Sequence, residues 1–311
     1  MPHRFTRVAV AVATLGLLAA CGSSGSDPLG SGSTSSSGST GSASAGGGSI
    51  VVGSADFSES QLLAEIYAGA LTAKGVNATT KLNIGAREIY LKALQDGSID
   101  VVPEYTGALA YFYDNSFSET DPDKVYSALE GLIPAQFQLL AKSAAEDNDS
   151  INVTKETADK YKLSSIADLA SVAGDLTLGA PPEFQTRPQG IPGLAKDYGV
   201  TFKSFRPLKG QQLVQALKNG QVDAANIFST DPAIAENGFV TLTDDKRLFG
   251  SQNVVPLIVK VKDTPEVTAA LDGVSKVLTT ATLSDLLKKV DVDKADPATV
   301  AKEFLTQAGL A

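Results

Sequence analysis

The chain has few of the side chains on which most metal sites and nucleophilic active sites depend. Among its 311 residues there are one histidine, one cysteine and no tryptophan. The histidine is His3 and the cysteine is Cys21, so residues 22–311 contain neither. Histidine-based catalytic triads and metal sites built from histidine or cysteine are therefore excluded from that part of the chain. Enzyme chemistry is left with carboxylates, lysines and hydroxyl groups, and we predict no catalytic residues, no metal and no cofactor.

The first 21 residues have the layout of an export signal. Two arginines precede an apolar run over residues 8–18, which is too short for a membrane-spanning helix because a span needs about 20 apolar residues. Two alanines stand directly before Cys21, an arrangement that resembles the bacterial lipobox, in which the cysteine is lipidated and becomes the new N-terminus. We therefore expect residues 1–20 to be a signal peptide and Cys21 to carry a lipid. An ordinary signal with a chance cysteine is the alternative.

Residues 22–49 consist almost entirely of glycine, serine, threonine and alanine. Such a composition cannot bury enough apolar surface to offset chain entropy, so we expect a disordered linker over residues 21–49 with an r.m.s. reach of roughly 30 Å. The predicted location is extracytoplasmic, with the protein anchored to the cell membrane by its lipid. Many surface lipoproteins with other functions share this layout.

The mature chain would be acidic. The formal net charge of the whole sequence is −9, and it becomes −11 once residues 1–20 and their two arginines are removed. A domain with this charge is a poor partner for nucleic acid, and we expect no such partner.

From residue 50 onward the same order of elements occurs twice. Each unit reads strand, helix, strand, helix, strand, which indicates parallel strands joined by right-handed crossovers. Ser58 and Gln61 form a predicted capping box at the first helix, which Gly75 ends. The first unit has predicted strands at residues 50–52, 79–84 and 99–102 and helices at residues 58–74 and 87–95. The second has predicted strands at residues 176–178, 201–205 and 222–227, one helix ending near residue 198 and one at residues 211–219.

Individual residues match between the two units. The pairs are Gly53 with Gly179, Phe57 with Phe184, Gly75-Val76 with Gly199-Val200, and Ala93-Leu94-x-x-Gly97-x-x-Asp100 with Ala216-Leu217-x-x-Gly220-x-x-Asp223. These matches favour a tandem repeat, and chance similarity of two α/β units is the alternative.

A tandem pair of units, followed by C-terminal helices near residues 266–280, 283–290 and 297–308, predicts an α/β fold with two lobes around a cleft. Residues 50–150 and 256–311 would form lobe 1, and residues 151–255 lobe 2. We expect the lobes to close around a ligand, with hinges near residues 150–153 and 253–256.

The repeat also locates the cleft. In open α/β sheets, ligands lie beyond the carboxyl ends of the strands. Tyr105 and Phe228 follow the third strand of each unit, and the repeat aligns them with each other. We therefore expect both rings to line the cleft, although core packing is the alternative.

Six motifs, in order, carry a resemblance to a known family. They are Gly53-Ser54-x-x-Phe57-x-Glu59, Gly97-x-Ile99-Asp100-x-x-Pro103-Glu104-Tyr105-Thr106-Gly107, Thr154-Lys155-Glu156-Thr157-Ala158, Glu183-Phe184-x-x-Arg187, Pro192-Gly193-Leu194 and Phe228-Ser229-Thr230-Asp231. With them the chain resembles the substrate-binding lipoproteins of ABC importers for the osmoprotectants glycine betaine, carnitine and choline. The resemblance implies a type II periplasmic-binding-protein-like fold, each lobe being a mostly parallel sheet flanked by helices. It also implies a monomer that passes a small solute to an ABC permease in the membrane.

The same resemblance implies how a ligand is held. Family members enclose a quaternary ammonium group in a box of aromatic rings, because a methylated cation cannot donate N–H bonds and is attracted to ring faces. By motif position, Tyr105 and Phe228 match two box residues, and Arg187 matches an arginine that pairs with the ligand carboxylate. The predicted binding set also includes Thr106, Thr230 and Arg87.

Three further members of this set depart from the family pattern. Ala55 stands where members carry lysine, Asp149 is nearest to an expected tyrosine, and Gln252 replaces another tyrosine. The four-ring box is therefore incomplete, and a ligand with more hydrogen-bonding groups becomes plausible. Asp149 could also balance a cation directly, which would suit choline better than betaine. Arg87 is either a cleft residue or a member of a surface ion pair.

Three functions remain open. The preferred one is an extracytoplasmic receptor for a glycine betaine-like or choline-like osmoprotectant, without enzyme activity. The second is a receptor for a different small solute, such as an amino-acid derivative or an aromatic compound. The third is an enzyme that uses carboxylates and lysine, which no nucleophile elbow, P-loop or Gly-x-Gly-x-x-Gly motif supports.

Overall fold

Two five-stranded sheets, each covered by helices, form the computed structural model, which describes residues 48–311. The strands are β1 (Ile50–Gly53), β2 (Ala78–Lys81), β3 (Val101–Tyr105), β4 (Phe137–Leu139), β5 (Ile151–Val153), β6 (Thr177–Ala180), β7 (Ser204–Pro207), β8 (Ala224–Asn226), β9 (Val240–Thr241) and β10 (Val254–Val259). The helices are α1 (Ser58–Ala73), α2 (Arg87–Gln95), α3 (Thr106–Tyr113), α4 (Pro122–Leu132), α5 (Lys155–Tyr161), α6 (Ile191–Tyr198), α7 (Gly210–Lys218), α8 (Ala233–Asn237), α9 (Pro265–Val277), α10 (Thr280–Asp291) and α11 (Pro297–Gln307). None of these helices is long and apolar enough to cross a membrane. The predicted signal peptide and Cys21 lie outside the described residues, as does nearly all of the predicted linker.

The two sheets have the same topology. Their strand orders are β2-β1-β3-β10-β4 and β7-β6-β8-β5-β9. In each sheet the first three strands are parallel, and the fourth, β10 or β5, is antiparallel to both of its neighbours. Four of the five strands in each sheet therefore run in the same direction. The predicted α/β fold with two mostly parallel sheets is confirmed.

Both faces of the first sheet are buried. Val52, Val101 and Val254 lie in a core shared with α1, α9, α10 and α11, whereas Val102 and Val255 lie in a second core with α2, α3 and α4. Successive side chains of a strand point to opposite faces, so a strand buried on both faces is apolar throughout. This explains the uninterrupted Val-Val-Pro-Leu-Ile-Val sequence of β10.

Two aspartates from the repeat make equivalent contacts in the two lobes. Asp100, just before β3, accepts a hydrogen bond from the backbone N–H of Val51 at 2.8 Å. Asp223, just before β8, accepts one from the backbone N–H of Thr177, also at 2.8 Å. Each aspartate thus ties the beginning of the third strand of its unit to the first strand. The structure confirms that the two units correspond.

The first glycine pair of the repeat is explained by close packing. A Cβ atom at Gly53 would lie 2.4 Å from Cδ1 of Ile99, and one at Gly179 would lie 2.6 Å from Cδ1 of Leu213. These separations are far below van der Waals contact. Both strands therefore need glycine at this position in order to lie close to the following elements.

Some local predictions are wrong. Ser58 is the first residue of α1 rather than its cap, and the residue before it, Phe57, is extended and makes no side-chain capping bond. No capping box with Gln61 forms, because the Gln61 N–H donates to the backbone carbonyl of Phe57. The predicted strand at residues 201–205 begins at residue 204, because β7 is an edge strand whose extent is set by pairing with β6.

The chain crosses between the sheets twice, over residues 140–150 and 242–253. The two crossing segments contact each other through an antiparallel bridge between Glu146 and Asn253. The predicted hinges at residues 150–153 and 253–256 coincide largely with β5 and β10, which are hydrogen-bonded within their sheets. We therefore expect the hinge to lie in the crossing segments before these strands. The predicted lobe boundary between residues 255 and 256 falls inside β10.

Candidate functional site

A cavity of about 140 Å³ lies between the two sheets. The first lobe contributes the segment after β1, the first turns of α1 and α2, and the end of β3. The second lobe contributes the residues that follow β6, β7 and β8. The cavity thus lies beyond the carboxyl ends of the parallel strands of both lobes, which is where open α/β sheets bind ligands.

Three aromatic rings from the two lobes meet in the cavity wall. The ring centroid of Phe57 lies 6.2 Å from that of Tyr105 and 5.5 Å from that of Phe228. Tyr105 is the last residue of β3, Phe57 directly precedes α1, and Phe228 follows β8. A fourth ring, that of Tyr90, also lines the cavity. Ring faces attract methylated cations, so this wall can hold an onium group.

Behind the rings, two buried acids contact one threonine. Glu59 accepts a hydrogen bond from the hydroxyl of Tyr105 at 2.6 Å and lies 2.6 Å from Oγ1 of Thr230. The same Oγ1 lies 2.8 Å from Oδ1 of Asp147, which also accepts the Thr230 backbone N–H at 3.1 Å. Glu59 belongs to α1, Asp147 to the first crossing segment and Thr230 to the turn after β8. This network therefore joins the two lobes.

The two contacts of Thr230 indicate that the network binds one proton. A hydroxyl has only one proton to donate, so Thr230 cannot donate to both carboxylates at once. Both contacts are hydrogen bonds only if one of the two acids is protonated. Burial raises the pKa of Glu59, and burial together with the charge of Glu59 raises the pKa of Asp147 well above its usual value.

Arg87 lines the cavity, and its charge is balanced by Glu104. The guanidinium donates to the Glu104 carboxylate from Nε and Nη2, each at 3.0 Å, and the side chains of Arg87 and Glu104 are 6% and 0% exposed. Glu104 also accepts hydrogen bonds from the hydroxyl of Tyr90 at 2.7 Å and from the backbone N–H of Tyr105 at 3.0 Å. Arg87 therefore lines the cavity and also forms an ion pair, and this ion pair is buried rather than on the surface.

Two ion pairs cross the cavity mouth. Arg187, from the turn after β6, lies 3.3 Å from the carboxylate of Glu88 on α2. Lys209, directly before α7, pairs with Asp56 in the segment after β1. Although partial burial opposes it, the charge of Arg187 lowers the pKa of Glu88. The Arg187 contacts are long, 3.3–3.4 Å, so a ligand carboxylate could compete for this guanidinium.

The third region of the cavity wall is the polar corner, which consists of Asp149, Asn226 and Gln252. The Asp149 carboxylate accepts hydrogen bonds from Nδ2 of Asn226 at 3.1 Å and from Nε2 of Gln252 at 3.3 Å. Burial raises the pKa of Asp149, and these hydrogen bonds together with the charges of Arg187 and Arg87 partly oppose the rise. Asp149 forms no ion pair within the described part of the chain.

The structure brings together eight of the nine predicted binding residues. The cavity is lined by Ala55, Arg87, Tyr105, Asp149, Arg187, Phe228, Thr230 and Gln252. Thr106 is the exception. Its hydroxyl accepts the backbone N–H of Asn253 at 3.1 Å and lies 3.3 Å from the carbonyl of Ser251, so it contacts the second crossing segment instead.

Sequence reasoning missed several residues that line the cavity. Phe57 and Glu59 lie in the first motif, but neither is among the predicted binding residues. Their position just after β1, at the carboxyl end of a parallel strand, is the signal that could have indicated them. Asp147 and Asn226 lie in no motif, and their roles depend on contacts between the lobes. Among residues 48–311, no group of three or more histidine, cysteine or acidic side chains is arranged to hold a metal ion.

Comparison with known proteins gives a consistent result. A glycine-betaine-binding protein of Pseudomonas aeruginosa is 27% identical over 270 residues, which cover 82% of this chain and 86% of that protein. An ergothioneine transport permease/ergothioneine binding protein of Helicobacter pylori is 28% identical over 267 residues, which cover 84% of this chain but 48% of that protein. A solved structure described as a glycine betaine/carnitine/choline ABC transporter is 25% identical, with a TM-score of 0.67, and the match covers 84% of this chain and 99% of that one.

The family itself is found over almost all of the described chain. The likeness to the solved structure confirms the type II periplasmic-binding-protein fold. Residues 48–307 match the substrate-binding domain of the ABC-type glycine betaine transport system. With the cavity, its rings and its arginines at the place where such a fold binds ligands, the chain belongs to the family of substrate-binding domains of ABC-type glycine betaine transporters.

Proposed function

We propose that this protein binds a glycine betaine-like or choline-like osmoprotectant in the cavity between its lobes and delivers it to an ABC permease. The observation that carries the proposal is the wall of three rings, Phe57, Tyr105 and Phe228, which come from both lobes. A methylated cation against this wall gains cation–π attraction and apolar contact. Arg187, on the same cavity, offers a planar fork of donors to a carboxylate.

The protein performs no chemistry on its ligand. Lys209, which lines the cavity, is paired with Asp56. Glu59 and Asp147 are fully engaged with hydroxyl and backbone groups. These contacts suit groups that hold the lobes together rather than groups that attack a substrate.

The protein works outside the cytoplasm as a monomer, held at the cell membrane by a lipid on Cys21. The Cys21→Ser variant should then move from the membrane fraction to the soluble fraction, while the parent stays with the membrane. Unchanged partitioning of the variant would contradict the lipid anchor but not the binding function.

Calorimetric titration with glycine betaine, choline, carnitine and ergothioneine tests the binding function. At least one of these solutes should bind, and a hundredfold excess over Kd should stabilise the protein by about 2.7 kcal/mol. Phe57→Ala and Phe228→Ala should each weaken binding several-fold to about thirtyfold, because each removes one ring face. Phe112→Ala, a change of a half-exposed ring outside the cavity, is the matched control and should bind like the parent. Absence of binding for all four solutes would overturn the proposal.

A further inference from the structure

The two departures from the ring pattern lie side by side in the cavity. Asp149 and Gln252 are the positions at which the sequence lacks expected tyrosines, and the structure joins them by a hydrogen bond of 3.3 Å. Gln252 is 3% exposed and is oriented by a second bond, from Nε2 to the carbonyl of Phe249 at 3.2 Å. The lost rings are therefore replaced by a built polar pair rather than by empty space.

Asn226 adds an acceptor to this pair. Its Nδ2 donates to the Asp149 carboxylate at 3.1 Å and to the backbone carbonyl of Ser150 at 3.3 Å. Both neighbours are acceptors, so the amide cannot be turned around without placing oxygen against oxygen. Oδ1 of Asn226 is consequently directed away from them, and it is buried without a hydrogen-bond partner among residues 48–311.

The polar corner thus has more hydrogen-bond acceptors, the Asp149 carboxylate and Asn226 Oδ1, than its own amide donors can satisfy. A buried acceptor without a hydrogen-bond partner is unfavourable, and so is a half-buried carboxylate whose only hydrogen-bond donors are amides. Asn226 and Asp149 both line the cavity, so a bound solute is the group placed to supply what they lack. Asp149 has only amide donors, and Asn226 Oδ1 has none within the described chain.

We propose that the polar corner accepts hydrogen bonds from an N–H or O–H group of a cationic solute. The inference rests on the proposed function and narrows it to cations that carry such a donor. Choline and carnitine carry a hydroxyl, and ergothioneine carries a ring N–H, whereas glycine betaine at neutral pH has neither. A solute without such a donor leaves the acceptors of the polar corner desolvated and without a hydrogen bond. A site of this kind discriminates against a solute that lacks the donor.

The test compares solutes that differ only in the donor. Choline is titrated against its methyl ether, and N,N-dimethylglycine, which keeps one N–H on its cation, against glycine betaine. Each donor-bearing member should bind about tenfold or more tightly than its methylated partner, because a hydrogen bond to a buried charged group is lost in the latter.

Variants test whether the polar corner causes the preference for donor-bearing solutes. Asp149→Asn keeps the size of the side chain but removes the charge, and it should reduce the preference for donor-bearing solutes to a few-fold. Asp245→Asn, an exposed acid that does not line the cavity, is the matched control and should leave the preference unchanged. The double change Asp149→Tyr with Gln252→Tyr should shift the preference toward glycine betaine, and thermal melts verify that each variant is folded.

The outcomes separate the two proposals. Equal binding of methylated and donor-bearing solutes, or a preference that Asp149→Asn does not alter, would overturn the role of the polar corner while leaving the receptor function in place. Failure of every solute to bind would overturn the receptor function and the inference with it.

Discussion

Tyr105 makes two kinds of contact that can be separated experimentally. Its ring lies 6.2 Å from that of Phe57 in the cavity wall. Its hydroxyl points to Glu59, at 2.6 Å, so this hydroxyl already has its partner within the protein. The ring is therefore the part of Tyr105 available to a ligand.

Replacing Tyr105 should accordingly have different effects on binding and on stability. Tyr105→Phe should keep most of the ligand affinity, and Tyr105→Ala should lose several-fold to about thirtyfold. Tyr105→Phe also leaves Glu59 without one buried donor, so the free energy of unfolding should fall by about 1–3 kcal/mol. Calorimetric titration and urea unfolding of both variants measure the two effects. If Tyr105→Phe loses as much affinity as Tyr105→Ala, the hydroxyl contacts the ligand after all.

Among single residues, the sequence identifies those that belong to a motif or that occur at matching positions of the repeat. Tyr105 and Phe228 are found because each follows the third strand of its unit. The proton-sharing acids Glu59 and Asp147 are not found, because they lie far apart in the sequence and meet only through Thr230. No pattern within either segment indicates such a meeting.

At the scale of elements, the two aspartates before β3 and β8 should contribute similarly to stability. Asp100→Ala and Asp223→Ala each leave a strand N–H, that of Val51 or Thr177, without its acceptor. Each change should therefore lower the free energy of unfolding by about 1–3 kcal/mol, as measured by urea unfolding. Asp100 has an additional partner in Lys262 at 3.1 Å, so its loss should be somewhat larger.

Asp245→Ala, which removes an exposed acid, serves as the control and should change stability by less than about 0.5 kcal/mol. Should Asp100→Ala and Asp223→Ala behave like this control, the repeated contact does not stabilise either lobe.

The elements themselves are largely predictable, and their ends are not. The helix at residues 87–95 is predicted with its observed bounds, because apolar spacing and flanking glycines define it locally. The third strand was expected at residues 99–102 but covers Val101–Tyr105. Its extent is set by antiparallel pairing with β10, a strand from the far end of the chain. Pairing partners so distant in sequence leave no local signal.

At the scale of the whole molecule, closure of the lobes should be linked to proton uptake. The Glu59–Thr230–Asp147 network joins the lobes and needs one proton. When the lobes separate, these acids meet water and their pKa values return toward the ordinary value of about 4. The closed form therefore binds more protons than the open form. The resulting free energy in favour of closure is fully present below the ordinary carboxyl pKa, and it is lost as pH rises through the raised pKa values of the closed form.

Ligand affinity should consequently fall as pH rises above about 4, and ligand binding should take up protons in that range. Calorimetric titration in two buffers with different ionisation enthalpies measures this uptake. Glu59→Gln should abolish most of it, because an amide can donate a hydrogen bond without binding a proton. Burial raises the pKa of the neighbouring Asp231 to about 6. The Asp231→Asn variant therefore measures the separate contribution of Asp231 to the proton uptake. No uptake by the parent protein would mean that the network does not titrate on closure.

The overall architecture follows from the repeat, but the relation between the lobes does not. Two matching units predict two lobes with a cleft between them, and the structure has two sheets with a cavity between them. The contacts across the cavity mouth, Arg187 with Glu88 and Lys209 with Asp56, arise only when the lobes face each other. Both pairs are partly exposed, so each is expected to contribute at most about 1 kcal/mol to closure.

The position of β10 has a consequence for the order in which the two lobes can be completed. The second sheet is built from residues that follow one another up to Thr241, whereas the first needs β10 between β3 and β4. The lobe that begins first in the chain is therefore the one that is completed last, after every strand of the other lobe has emerged. A nascent chain that ends before Val254 has every strand of the second sheet, but its β4 has no neighbouring strand to pair with.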